Sequence, residues 1–196
     1  MLWLAVVLFV ALTVAVLRGG RLTNLADIRL RLWWLLPLSF AMQLGTRLLP
    51  AEPWADTVGV AMVLVSYVPL IGLVFANRNR KGMWLTGIGV LLNFTVILLN
   101  GGMPVLHEAA IVASGFAPEP QISDSYKHIV LDASSRLPFL ADVIPMRVAG
   151  QGTVLSLGDV FLAVGLARFL EAELRRPVRW FKPGVKLSGG SATRRD

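Results

Sequence analysis

The sequence predicts an all-α integral membrane protein with about five transmembrane helices and a long external loop between the fourth and the fifth. Three observations lead there. Of the 196 residues, 55% are hydrophobic and only 16% charged, against about 25% charged in a typical soluble domain. The apolar residues lie in long blocks almost free of charge, which excludes disorder for most of the chain and speaks against a water-soluble globule. The 19 lysines and arginines collect between and after alternate blocks, as the positive-inside rule requires of a multi-pass protein.

A hydrocarbon core of ~30 Å takes about 20 helical residues, within a range of ~17 to 25. Residues 2–17 are apolar except for Thr13. This block could be a cleaved signal peptide. However, no Lys or Arg precedes it, no small-x-small cleavage site follows it, and Arg18 to Arg31 forms a basic anchor, so an uncleaved span is expected. The second span, 32–49, is the most polar, with Pro37, Ser39, Gln43, Gly45, Thr46 and Arg47. The third, 57–76, and the fourth, 83–99, carry no charge, while the fifth, 154–170, contains Asp159 and Arg168. Several are slightly short, which predicts a thin bilayer or extension into the flanks.

The first connection holds Arg18, Arg21, Arg29 and Arg31, the third holds Arg78, Arg80 and Lys81, and eight more basic residues follow from Arg168 onward. The opposite side has Arg47, Lys127, Arg136 and Arg147 against Glu52, Asp56, Glu108, Glu119, Asp124, Asp132, Asp142 and Asp159. The basic side is therefore expected in the cytoplasm, with the N-terminus outside and the C-terminus inside. Residues 1–182 read as one transmembrane domain. Arg175, Arg176, Arg179 and Lys182, interleaved with Trp180 and Phe181, read as a segment resting on anionic lipid rather than on nucleic acid. Residues 183–196, rich in Gly, Ser and Thr, read as a disordered tail.

The connection 100–152 is long for a loop and short for a domain. Pro104 to Ala113 is expected to open a short helix, with proline in its first turn. Ala117 to Ser125 reads as a turn or extended stretch, and Pro145 as a helix stop. The whole is expected to pack over the outer ends of the spans.

Polar side chains inside the spans are costly and face protein or a water-filled cavity. Gln43 and Arg47 share one face of the second span, and Asn93 and Asn100 one face of the fourth. Gln43, Asn93 and Asp159 lie at a common depth, about 7 to 10 Å inside the outer boundary. One reading makes them interhelical glue, with Arg47 and Asp159 as an ion pair. The other makes them a polar cavity, which Gly101 and Gly102 would let the backbone approach. Asp142, in the apolar run Leu140-Ala-Asp-Val-Ile-Pro145, is the second carboxylate of interest. If it faces Asp159, the two could share a proton and activate water. Asp124 and Asp132 read as solvated surface acids. Lys127 and His128 are candidates for contact with an anionic group. The chain has no cysteine, and His107-Glu108 lacks the second histidine of a zinc helix, so no metal and no cofactor are expected. No phosphate-binding loop, dinucleotide fingerprint or Gly-x-Ser-x-Gly elbow is present.

The ordered set Leu17-Arg-Gly-Gly-Arg-Leu-Thr-Asn-Leu-Ala26, Asn100-Gly-Gly-Met-Pro104, Lys127-His128, Ala141-Asp-Val-Ile-Pro145 and Leu155-Ser-Leu-Gly-Asp-Val-Phe-Leu-Ala-Val-Gly165 resembles a bacterial family of multi-pass membrane proteins, domain of unknown function 5317. The resemblance implies a bacterial inner-membrane protein and no particular activity. Leu155 to Gly165 is also similar to the last span of lipoprotein signal peptidase, a membrane aspartyl protease. That similarity implies Asp159 as one catalytic aspartate, although the protease's Asn-x-x-Asp-Arg motif is absent and Ser156 stands where its asparagine would. Two functions follow from these readings. One is a non-catalytic membrane scaffold or partner subunit with a polar cluster near the outer leaflet, possessing a membrane-protein partner. The alternative is an intramembrane aspartyl hydrolase using Asp159 and Asp142.

Overall fold

A computed structural model of the chain describes residues 2–50, 52–116 and 127–176. The expectations for Ala117 to Ser125, Asp124 included, and for Trp180, Phe181 and the tail lie outside these residues. The described chain is mostly helical. Helices α1 (Leu2–Leu17), α2 (Leu35–Gly45), α3 (Pro53–Ala76) and α4 (Met83–Asn100) come first, then α5 (His107–Ser114), and α6 (Leu157–Leu174) closes the set. Among the described residues, two helices are long and apolar enough to cross a membrane, over Trp54–Ala76 and Met83–Asn100, and Trp3–Leu17 is a shorter apolar helix.

Each boundary has a local cause. Helix α3 opens with proline at its first turn, where the missing N–H would have had no intrahelical partner. It therefore begins four residues before the expected span. The second span contracts to α2 plus a 3-10 turn over Thr46–Leu48, where Thr46 and Arg47 fall outside the helix. Thr46 donates its hydroxyl to the Gln43 carbonyl at 2.8 Å. Helix α6 begins three residues later than expected, because residues 151–155 form a strand and Ser156 caps the helix.

The helices are neighbours in the order α1, α6, α4, α3, α2. The apolar core lies where α3 meets α4 and includes Val63, Tyr67, Val90, Val96 and Ile97, with the Tyr67 and Phe94 rings 5.9 Å apart. Met103 and Leu140 extend it into the connection. Ser39 and Ser66, both buried, join α2 to α3 through a 2.6 Å bond from the Ser39 hydroxyl to the Ser66 carbonyl.

The connection between α4 and α6 is a folded cap. Strand β1 (Met103–Val105) pairs in parallel with β2 (His128–Val130). On its other side Val105 bridges Asp142. Strands β3 (Ile144–Val148) and β4 (Gln151–Leu155) form an antiparallel hairpin, against which α5 packs. The expected helix at Pro104–Ala113 thus starts at His107, and Pro104 lies instead in β1. Pro145 lies in β3. The turn at Pro138–Leu140 touches both α4 and α6, so the cap sits on their ends.

Candidate functional site

The site rests on a close crossing of α4 and α6. Gly82, Thr86, Gly89 and Asn93 of α4 run antiparallel to Gly158, Leu162, Gly165 and Phe169 of α6. A Cβ on Gly89 would collide with the Gly158 carbonyl, one on Gly165 with Thr86, and one on Gly82 with the Gly165 carbonyl. Without side chains at these positions the two backbones approach until van der Waals contact and polar bonds hold them, the packing mode available where water supplies no hydrophobic drive.

At the cap end the seam closes on polar groups. Asn93 is 5% exposed. Its amide donates to Asp159 Oδ1 at 2.9 Å, and its oxygen accepts from the Ser156 hydroxyl at 3.0 Å. That oxygen fills the space a Gly158 side chain would need. Ser156 and Asp159 form a capping box: the Asp159 N–H donates to the serine Oγ at 3.0 Å, and the Ser156 N–H donates to Asp159 Oδ2 at 3.2 Å. Two orphan donors of the helix start are thereby satisfied, and a carboxylate sits at the positive end of the helix dipole. Both oxygens of Asp159 are thus engaged, Oδ1 in holding α6 to α4 and Oδ2 in capping α6.

Asp142 is placed by the cap. Its N–H donates to the Pro104 carbonyl and its own carbonyl accepts from the Leu106 N–H, both at 2.9 Å, so the residue is tied to the β1 chain on either side of Val105. Its side chain is buried and, among the described residues, Oδ1 accepts no hydrogen bond. Oδ2 lies 3.9 Å from His128 Nε2, beyond hydrogen-bond length. Burial, then the charge of Asp159, raise the Asp142 carboxyl to about 8, with Lys127 pulling the other way. The group is protonated at neutral pH. Burial, then the Lys127 charge, lower His128 to about 4 and keep its imidazole neutral. Burial also disfavours the Lys127 ammonium, but Tyr67, Asp159 and Asp142 outweigh it and the net shift is upward. Lys127, His128, Asp142 and Asp159 therefore share one electrostatic neighbourhood, with Tyr67 below them.

The other expected residues have separate duties. Gln43 donates to the Ser66 hydroxyl at 3.0 Å between α2 and α3, so it bonds across a different seam from Asn93. Arg47 is exposed, and among the described residues it makes no ion pair with Asp159. Asn100 clamps the cap to α4, donating to the Arg136 carbonyl at 3.0 Å and accepting from its N–H at 2.7 Å. Gly101 ends α4 with φ +70°, and a Cβ on buried Gly102 would press on Ile129. Asp132 is exposed, and bonds from Ser134 and Ser135 hold its carboxyl below the usual range. His107 is exposed at the start of α5. Among the described residues, no three His, Cys, Asp or Glu side chains converge.

Residues 27–171 match the model of a family described as a family of unknown function, DUF5317. The chain belongs to the DUF5317 family. It is also 28% identical over 165 residues to an uncharacterized protein of Thermotoga maritima, covering 83% of this chain and 87% of that one. No solved structure matches it. The matched span takes in the whole DUF5317 cluster, from Tyr67 through Asn93, Lys127 and Asp142 to Asp159.

Two parts of this cluster escape the sequence reading. Ser156 has a legible signature, since Ser-x-x-Asp before an apolar run is a capping box. Tyr67 has a weaker one, as a lone phenol in a span otherwise polar only at Ser66 and Thr57.

Proposed function

We propose that this chain is a multi-pass protein of the bacterial inner membrane, crossing it five times, with its N-terminus outside and its C-terminus in the cytoplasm. In this reading it serves as a non-catalytic scaffold or partner subunit. The observation that carries the non-catalytic reading is the engagement of Asp159: Oδ1 accepts from Asn93 and joins α6 to α4, while Oδ2 accepts from the Ser156 N–H and caps α6.

Other features support the membrane geometry. The ends that the charge rule puts inside meet one another. Arg18 pairs with Glu171 and Arg80 with Glu173, each at 3.0 Å. Asn24 donates to the Leu174 carbonyl at 2.8 Å, and the Arg31 N–H donates to Asn77 at 2.9 Å. Among the ends assigned outside, those of α4 and α6 meet the cap. Large apolar side chains stand exposed along the helices, among them Phe9, Val68, Phe75, Trp84 and Leu98, an apolar surface that lipid would cover. A bilayer, anionic lipid at the basic segment after Arg175, and a membrane-protein partner are the contacts proposed.

The hydrolase reading keeps one observation in its favour, since Asp142 is a protonated acid that senses Asp159. Replacing Asp159 with Asn separates the two. The scaffold reading expects the variant to lose abundance in the membrane as the α4–α6 joint weakens. Normal abundance with lost function in cells would support the hydrolase instead.

A further inference from the structure

Among the described residues, the cluster under the cap holds two carboxyls and one lysine, and the nearby imidazole is neutral. If Asp142 and Asp159 were both ionised, one negative charge would stay uncompensated in a buried setting, which is costly unless a cation arrives. The protein as it stands meets this by keeping a proton on Asp142, yet Oδ1 still accepts no hydrogen bond. Among the described residues, the charged and titratable groups around it are Lys127, His128 of β2 and Asp159 on α6, with Tyr67 on α3 acting on Lys127. Strand β1 and the turn at Pro138–Leu140 bring no charge.

We infer that this cluster binds a small cation with an ammonium head, which donates an N–H to Asp142 Oδ1 as the carboxyl releases its proton to solvent. The chemistry is an exchange: the Asp142 O–H bond breaks, an N–H···O⁻ bond to the ligand forms, and the site becomes neutral with two cations and two carboxylates. An ammonium suits it better than a metal ion. Asp159 and the Asn93 oxygen already accept bonds from the protein, whereas a hard metal ion demands about six oxygens. This inference uses the cluster but not the proposed orientation, so it stands or falls apart from the topology.

The test uses the full chain in detergent, titrated with ethylammonium chloride or, at equal ionic strength, tetramethylammonium chloride, which has no N–H. Proton release is followed with a dye, and the infrared band of the protonated carboxyl is followed in parallel. Ethylammonium should release about one proton per chain near neutral pH and remove the band, with tetramethylammonium inert. Because the carboxylate form binds, apparent affinity should rise about tenfold per pH unit up to roughly pH 8. Asp142→Asn should abolish the release. Nanodiscs of phosphatidylethanolamine, compared with phosphatidylcholine, distinguish a lipid headgroup from a free amine: loss of the band in the former alone identifies the headgroup. A band that persists with both amine sources, or proton release unchanged in Asp142→Asn, overturns the inference. The infrared measurement on the unaltered chain decides it even if that variant fails to fold.

Discussion

A carboxyl that is 5% exposed and raised to about 8 by burial and by Asp159 couples folding to pH. Between about pH 4 and 8 the folded chain keeps a proton on Asp142 that the unfolded chain has lost. The Asp142 contribution is therefore present in acid and is lost as pH rises through about 8. His128, lowered to about 4, acts oppositely: unfolded histidine takes up a proton below about pH 6.5, so its contribution grows with pH up to there. The two oppose each other in the acid window, and above it only Asp142 still changes. Stability in detergent should fall by about 2 kcal/mol from pH 6.5 to 8. Chemical denaturation across that range should show the fall in the parent protein and a flat profile in Asp142→Asn. At Asn93, truncation to Ala leaves Asp159 with the capping serine alone and removes the acceptor for its hydroxyl. The cost should be about 1–2 kcal/mol, read as a lowered melting temperature, with Asn93→Asp worse because it sets two carboxylates together.

At the scale of elements, the crossing of α4 and α6 should be the least tolerant feature of the fold. A Cβ at Gly89 meets main chain on α6, which cannot swing aside as a side chain would. Gly89→Ala should cost about 1–3 kcal/mol, and Gly89→Leu more. Gly72, whose added Cβ would make ordinary contact with Leu35 at 3.5 Å, serves as the control, and membrane abundance of the two alanine variants is the comparison. The β3–β4 hairpin turns through Ala149 and Gly150, at φ +48° and +82°. Both values are left-handed, and alanine is ill suited to the first. Ala149→Asn should stabilise the protein by about 1 kcal/mol, seen as a higher melting temperature. Much of this scale is legible from sequence. Uncharged blocks give α3 and α4 within a few residues, because length and apolarity alone define them. The cap is not, since its strands are three to five residues long and pair β1 with β2 across twenty-two intervening residues, a choice that local pattern does not encode. The depth argument joined Asn93 to Asp159 correctly, yet joined Gln43 to them as well. Depth along a helix fixes height only, while the neighbour order of the helices decides which groups meet.

For the whole molecule, the decisive quantity is which ends share a side. Arg18, Asn24 and Arg80 tie the connections after α1 and α3 to the end of α6, Arg80 through the buried Glu173, and Asn77 joins those two connections to each other through the Arg31 carbonyl. The cap ties the other ends of α4 and α6 together. The positive-inside count assigns ends to sides from basic residues alone, because it counts charge between blocks and needs no contacts. It could not anticipate that Arg18 and Arg80 would each find a glutamate, since Glu171 and Glu173 lie on α6, far along the chain. The division is directly measurable, because the chain contains no cysteine and any cysteine introduced is a unique probe. Ala133 lies in the cap and Asn79 between α3 and α4, and both are exposed. In intact cells with a permeable outer envelope, Ala133→Cys should react with a membrane-impermeant maleimide, and Asn79→Cys should react only after lysis. Equal labelling of the two before lysis would defeat the five-span topology, because it would put the caps of α4 at either end in a single compartment.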